Sequence, residues 1–159
     1  MPISPVNKNM DVDAEELNDL RAVSTRIGSD PLLVQAAGGN TSVKNNDKML
    51  IKASGFWLAD ALAKDIFVPL DLPALRSAIK TGDPRADTAT DFVVQNENPN
   101  ALRPSIETCL HAIFDHKYVL HVHCVRTLSY AIRNNAEAEL AAPLHGLDWV
   151  FVPYARPGA

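Results

Sequence analysis

Residues 103–125 read RPSIETCLHAIFDHKYVLHVHCV and set a glutamate and two closely spaced histidines where a plain core would carry apolar residues. Glu107 and His111 are four apart, so on a helix they share one face. Period two along a strand puts His121 and His123 on one face, with Leu120, Val122 and Cys124 on the other. Imidazoles at i and i+2 can aim at one point, which is what a divalent metal requires, and zinc accepts imidazole nitrogens readily. The competing reading is two core histidines, each needing a buried hydrogen-bond partner. Taken alone, Glu107 is more often a helix-start carboxylate than a base. His111 alone is more often a core residue than a ligand.

A second set of residues suits anion binding. Gly38-Gly39-Asn40-Thr41-Ser42 lets backbone N–H groups approach an anion closely, and its side chains add donors. A tight turn between strands explains the same residues. Ser54-Gly55 is again small and polar, either another turn or a second wall of one anion pocket.

Several elements must position these groups. Residues 105–116 read as a helix, with Pro104 suited to its first turn and Leu110, Ile113 and Phe114 as its apolar stripe. Residues 118–125 read as a strand. Residues 11–27 form an amphipathic helix with Leu17, Leu20, Val23 and Ile27 at helical steps, acidic residues at its start and Gly28 as its cap. Residues 31–37 read as a strand. Asn45-Asn46-Asp47 is a turn signal, which makes 42–44 and 48–53 a hairpin. Residues 56–63 read as a short helix, 66–70 as a strand, and 72–80 as a helix closed by Gly82. Residues 83–102 are polar and irregular, with room for a short strand at 92–95. Residues 127–134 read as helix, 136–143 as a short helix or loop, and 144–152 as a strand carrying His145 and Trp149. Residues 1–10 read as a flexible arm.

Composition narrows the functional class. With 159 residues, 47% hydrophobic and 21% charged, the chain suits one globular domain. A net charge of -4 offers no basic footprint for nucleic acid. No apolar run approaches a membrane span, and the N-terminus lacks an apolar signal core, so a cytoplasmic protein is expected. Cys109 and Cys124 fall in segments expected to be buried and read as reduced, inert thiols.

The order GGNTS, a strand ending in ASG, PSIE and HVH resembles the class II aldolase and adducin-type family over roughly residues 32–154. The wording RPSIET, LHVHCV and PYARPG is most similar to rhamnose-utilisation bifunctional aldolase and dehydrogenase proteins. The resemblance implies an α/β domain of the α+β type over residues 1–159, a three-layer α/β/α sandwich with a mixed, largely antiparallel central sheet. It implies Zn2+ or another divalent metal held by three histidines, with His121 and His123 matching the first two. The third lies in a His-Gly segment after the PYARPG stretch, so the chain is expected to be truncated at its C-terminus. The alternative third ligands are His111 and His145, of which His111 is better placed. Glu107 matches the family's acid–base glutamate. Asn40, Ser54, Gly55 and Ser105 match its phosphate-binding positions. Ile106 departs from the pattern, since many members carry a second serine there.

By that resemblance the chain is a lyase acting on a sugar phosphate such as L-rhamnulose 1-phosphate or L-fuculose 1-phosphate. A bound metal stabilises the enediolate left by cleavage, and a carboxylate moves the proton. Epimerase, dehydratase or decarboxylase activity on the same site is the alternative, and a non-catalytic adducin-like assembly domain is another. A homotetramer is expected for the complete protein.

Overall fold

The computed structural model describes residues 12–45 and 47–154. The arm expected at residues 1–10 lies outside the described residues. Four strands, β1 (Asn40–Lys44), β2 (Lys48–Lys52), β3 (Phe67–Asp71) and β4 (Tyr118–His121), form an antiparallel sheet in the order β3-β2-β1-β4. The expected hairpin is β1–β2, closed where Asn45 Oδ1 accepts from the N–H groups of Asp47 and Lys48 at 2.9 and 2.7 Å.

Helices lie on both faces, which gives the α/β/α layering. On one face, α1 (Ala14–Gly28) sends Leu20 against Val43 and Phe67. Its start is fixed by a capping box between Asp13 and Glu16. On the other, α2 (Leu72–Thr81) and α3 (Thr108–Ile113) cover Met49, Ile51 and Leu70. The alternation of β2 and β3 sends Met49, Ile51 and Leu70 to one layer and Leu50 and Phe67 to the other. Two further helices, α4 (Val125–Ala131) and α5 (Ala136–Ala141), pack against each other. Among the described residues no helix is long and apolar enough to cross a membrane.

Several expectations change in the structure. Residues 31–37 are turns, not a strand, because the Asp30 side chain accepts from Leu32 N–H and its carbonyl from Leu33 and Val34. The helix expected at 105–116 is shortened to α3. An isolated bridge between Ala53 and Pro104 holds its beginning extended, and Arg76 takes the carbonyls of Ala112 and Phe114 at its end. The strand expected at 118–125 stops at His121, since the N–H groups of His123 and Val125 turn to the carbonyls of Leu33 and Leu32. Residues 144–152 are turns and irregular chain, with Leu144, His145 and Leu147 bonding backward along their own segment instead of to a partner strand. Residues 83–102 contain three short 3-10 turns, and only Val93 bridges to the sheet, at Leu70.

Gly28 is the last residue of α1, not its cap. A Cβ there would stand 2.4 Å from Ala59 N, so the glycine permits contact with the short helical turn Leu58–Asp60. Gly82 does close α2, in the left-handed conformation at φ 68. Cys109 and Cys124 are free and half-buried, where burial had been expected.

Candidate functional site

The site gathers where the ends of β1, β2 and β4 meet the segment before α3. Antiparallel pairing sets Asn40 opposite His121. The bridge at Ala53 and Pro104, with Ser54 N–H donating to the Arg103 carbonyl at 2.9 Å, brings Ser54 and Gly55 beside Ser105. Thr108 N–H and Glu107 N–H return to Ser105, a tight turn that places Glu107 just ahead of α3.

A pocket of about 230 Å³ results, lined by Gly38, Gly39, Asn40, Lys52, Ser54, Gly55, Ser105, Ile106, Glu107 and His123. It brings together all four residues expected to bind phosphate, the expected base and one of the two expected metal histidines. Larger clefts lie near Asn134 and Tyr154 and beside Arg21 and Phe67, but neither holds such a set. The two glycines are needed for closeness. A Cβ on Gly38 would meet His123 Nδ1 at 3.2 Å, and one on Gly39, at φ 63, would meet the His121 carbonyl at 2.9 Å.

Glu107 stands at the centre of the polar contacts. The Asn40 amide donates to its Oε2. Nδ1 of His121 lies 2.9 Å from the same oxygen. The contact is close, although it falls short of hydrogen-bond geometry. His121 holds the Glu107 carboxyl below the usual carboxylate range; burial opposes this and Asn40 reinforces it. The His121 and His123 rings lie 5.0 Å apart at a tilt of 58°. Their convergence survives although His123 has left the strand.

The buried atoms Asn40 Oδ1, His111 Nε2 and His121 Nδ1 lack a partner among the protein atoms. They belong to residues bonded to, in contact with, or one helical turn from Glu107. Two imidazoles and a carboxylate are a donor set that suits zinc. Among the described residues no group of three or more His, Cys, Asp and Glu side chains is arranged to enclose a metal. The donor types suit a metal, but the structure does not arrange them as a site for one. His111 is fully buried against Ser42, with Nδ1 2.7 Å from Ser42 Oγ, and burial pushes its pKa down to about 4. His145 is exposed and outside the pocket.

Lys52 is the residue that sequence reasoning missed. It is 2% exposed, and its ammonium donates to the carbonyls of Ala37 and Phe56 at 3.0 and 2.7 Å. A lysine has three N–H donors, so one remains for the pocket it lines. Burial lowers its pKa and nearby Glu107 works against that. The available signal was its place in β2: alternation sets it on the face of Leu50, where a buried cation needs a reason.

Residues 18–159 match the family described as Class II Aldolase and Adducin N-terminal domain. The chain is 34% identical over 148 residues to the uncharacterized oxidoreductase YuxG of Bacillus subtilis (strain 168). That match takes in 85% of this chain and 21% of the relative, so the chain spans about one fifth of that protein's length. In structure it is similar to the N-terminal class II aldolase domain of a conserved protein from Thermoplasma acidophilum. That likeness has a TM-score of 0.73 at 29% identity and covers 97% of this chain and 76% of the other.

Proposed function

Because the chain belongs to the class II aldolase and adducin N-terminal family, we propose that it carries a metal-dependent lyase site for a phosphorylated sugar. The substrate class is that of L-rhamnulose 1-phosphate and L-fuculose 1-phosphate. One observation carries the reading: Glu107 touches both Asn40 and His121 at the wall of a pocket that also holds Lys52, Ser54, Gly55 and Ser105. Glu107, kept ionised by His121, takes and returns the proton on the carbon beside the carbonyl. Asn40 steadies the carboxylate. The free N–H of Lys52, the hydroxyls of Ser54 and Ser105 and the backbone at Gly55 bind the phosphate, whose anchoring aligns the reacting carbons. Ile106 is 83% exposed and offers no donor where many members carry serine, and Lys52 supplies charge in its place.

His121 and His123, with Glu107 in reach, would hold the divalent metal, zinc first among the candidates. When bound, it supplies Lewis-acid stabilisation of the negative charge that develops on the substrate oxygen. An adducin-like scaffold has no use for a carboxylate, an imidazole and a buried lysine lining one pocket, with a second imidazole against the carboxylate, which favours the enzymatic reading. Assembly as a homotetramer belongs to the same proposal, supported by the exposed apolar side chains Leu120, Leu128 and Ile132.

The test combines a product assay with metal analysis. The protein supplied with zinc should release dihydroxyacetone phosphate from one of the two sugar phosphates, stop on chelation and recover on adding metal. His121→Ala should lose most bound metal by elemental analysis. Full metal content in that variant, or no product from either sugar, contradicts the proposal.

A further inference from the structure

Alternate residues of β1 on one face are all polar and all buried: Asn40, Ser42 and Lys44 are 3%, 0% and 4% exposed. Buried rows on strands are ordinarily apolar. Each of these three ends on the segment that carries Glu107. The Asn40 amide donates to the Glu107 carboxylate. Ser42 Oγ meets His111 Nδ1 at 2.7 Å. The Lys44 ammonium donates to the His111 carbonyl at 2.6 Å.

The spacings match. Two residues of strand advance about 6.8 Å, and four residues of helix advance about 6 Å. The step from Asn40 to Ser42 therefore keeps pace with that from Glu107 to His111. One rung would leave the segment free to pivot, whereas two fix both its height and its rotation. The same strand pairs Asn40 with His121 through the sheet. β1 is thus the common ruler, holding His121 by backbone and Glu107 by side chains.

Such support is needed. α3 has 6 residues, too few to hold its shape unaided. Glu107 lies ahead of it at φ -96 and ψ 14, and its side chain makes no capping bond to the helix.

We propose that Ser42 and His111 are positioning residues: their hydrogen bond fixes the register of the Glu107–His111 turn against β1, and with it the distance of the carboxylate from His121. The inference rests on the reading of Glu107 as the proton-transferring group. A neutral imidazole suits this task, since it bonds to Ser42 without adding a charge beside the site.

The test compares Ser42→Ala, Ser42→Thr and His111→Phe in the full chain. Amide hydrogen exchange over residues 107–111 follows the turn without metal or substrate, and solvent exchange of dihydroxyacetone phosphate follows turnover. In Ser42→Ala these amides should exchange about tenfold faster as the turn loosens from β1. The variant's kcat for dihydroxyacetone phosphate exchange should fall about tenfold with KM within about twofold of wild type. Ser42→Thr keeps the hydroxyl and should restore both. Wild-type amide exchange over residues 107–111 in both Ser42→Ala and His111→Phe overturns the positioning role. Should His111→Phe not fold, Ser42→Ala carries the test, because it removes a single oxygen. A wild-type protein that does not exchange the dihydroxyacetone phosphate proton, but whose amides at residues 107–111 still exchange faster in Ser42→Ala, supports the ladder and rejects the base.

Discussion

Leu20, Met49, Ile51, Leu70 and Leu72, all within residues 12–113, are 0% exposed, whereas Ile132, Val150 and Tyr154, within residues 114–154, are 82%, 84% and 88% exposed. α2 and α4 make the contrast sharp. Both have apolar residues at helical spacing, but α2 buries Leu72, Leu75 and Ala78, and α4 buries none of its residues. Periodicity says which face of a helix is apolar. Whether anything covers that face depends on the neighbours, and in the first region these are the two faces of the sheet. The candidate site sits on the seam, with Asn40, Lys52, Ser54, Ser105 and Glu107 from the first region and His121 and His123 from the second.

Truncating side chains in the two regions should separate them most strongly. Leu70→Ala leaves a cavity between the sheet and α2, and a loss of about 2–5 kcal/mol is expected in urea unfolding. Ile132→Ala should stay within about 0.5 kcal/mol of wild type. Similar losses at both positions would erase the distinction.

Acid should probe the closed region next. Burial depresses the His111 pKa from 6.5 to about 4. As pH falls below 6.5 the unfolded chain takes up a proton that the folded chain refuses until about pH 4. This contribution is therefore fully present above 6.5 and lost between 6.5 and 4, on the order of 3 kcal/mol. Denaturation across that range should show a shallower loss in His111→Phe than in wild type. Parallel curves would mean that His111 does not resist protonation.

A smaller contrast comes from glycine. Gly28→Ala drives a Cβ into the backbone of Leu58 and Ala59 and should cost about 1–3 kcal/mol. Gly146→Ala meets open space and pays only for φ 84, about 1 kcal/mol. Thermal unfolding of the two variants ranks them, and the reverse order would contradict the close contact at Gly28.

The sequence made the first region readable because its signals are local. The Asn-Asn-Asp turn, the alternation in β2 and β3, the α1 stripe and the Gly82 cap each act within a few residues. The motifs of Glu107, Asn40, Ser54, Gly55 and Ser105 pointed to one place in the fold, and these residues line one pocket. Errors arose where distant partners decide the outcome. Residues 31–37 carry strand-like apolar residues, but Asp30 supplies nearer hydrogen-bond partners. Residues 144–152 alternate like a strand without a strand beside them. Lys52 was passed over because its two carbonyl partners, at Ala37 and Phe56, are set by loops whose folding no short pattern reveals.

The most direct test of the site is Glu107→Gln, which keeps size and polarity and removes the base. Solvent exchange of the dihydroxyacetone phosphate proton should slow by about 10²- to 10⁴-fold, with an unchanged circular dichroism spectrum. Exchange at the wild-type rate in Glu107→Gln would contradict the assignment of Glu107 as the group that moves the proton.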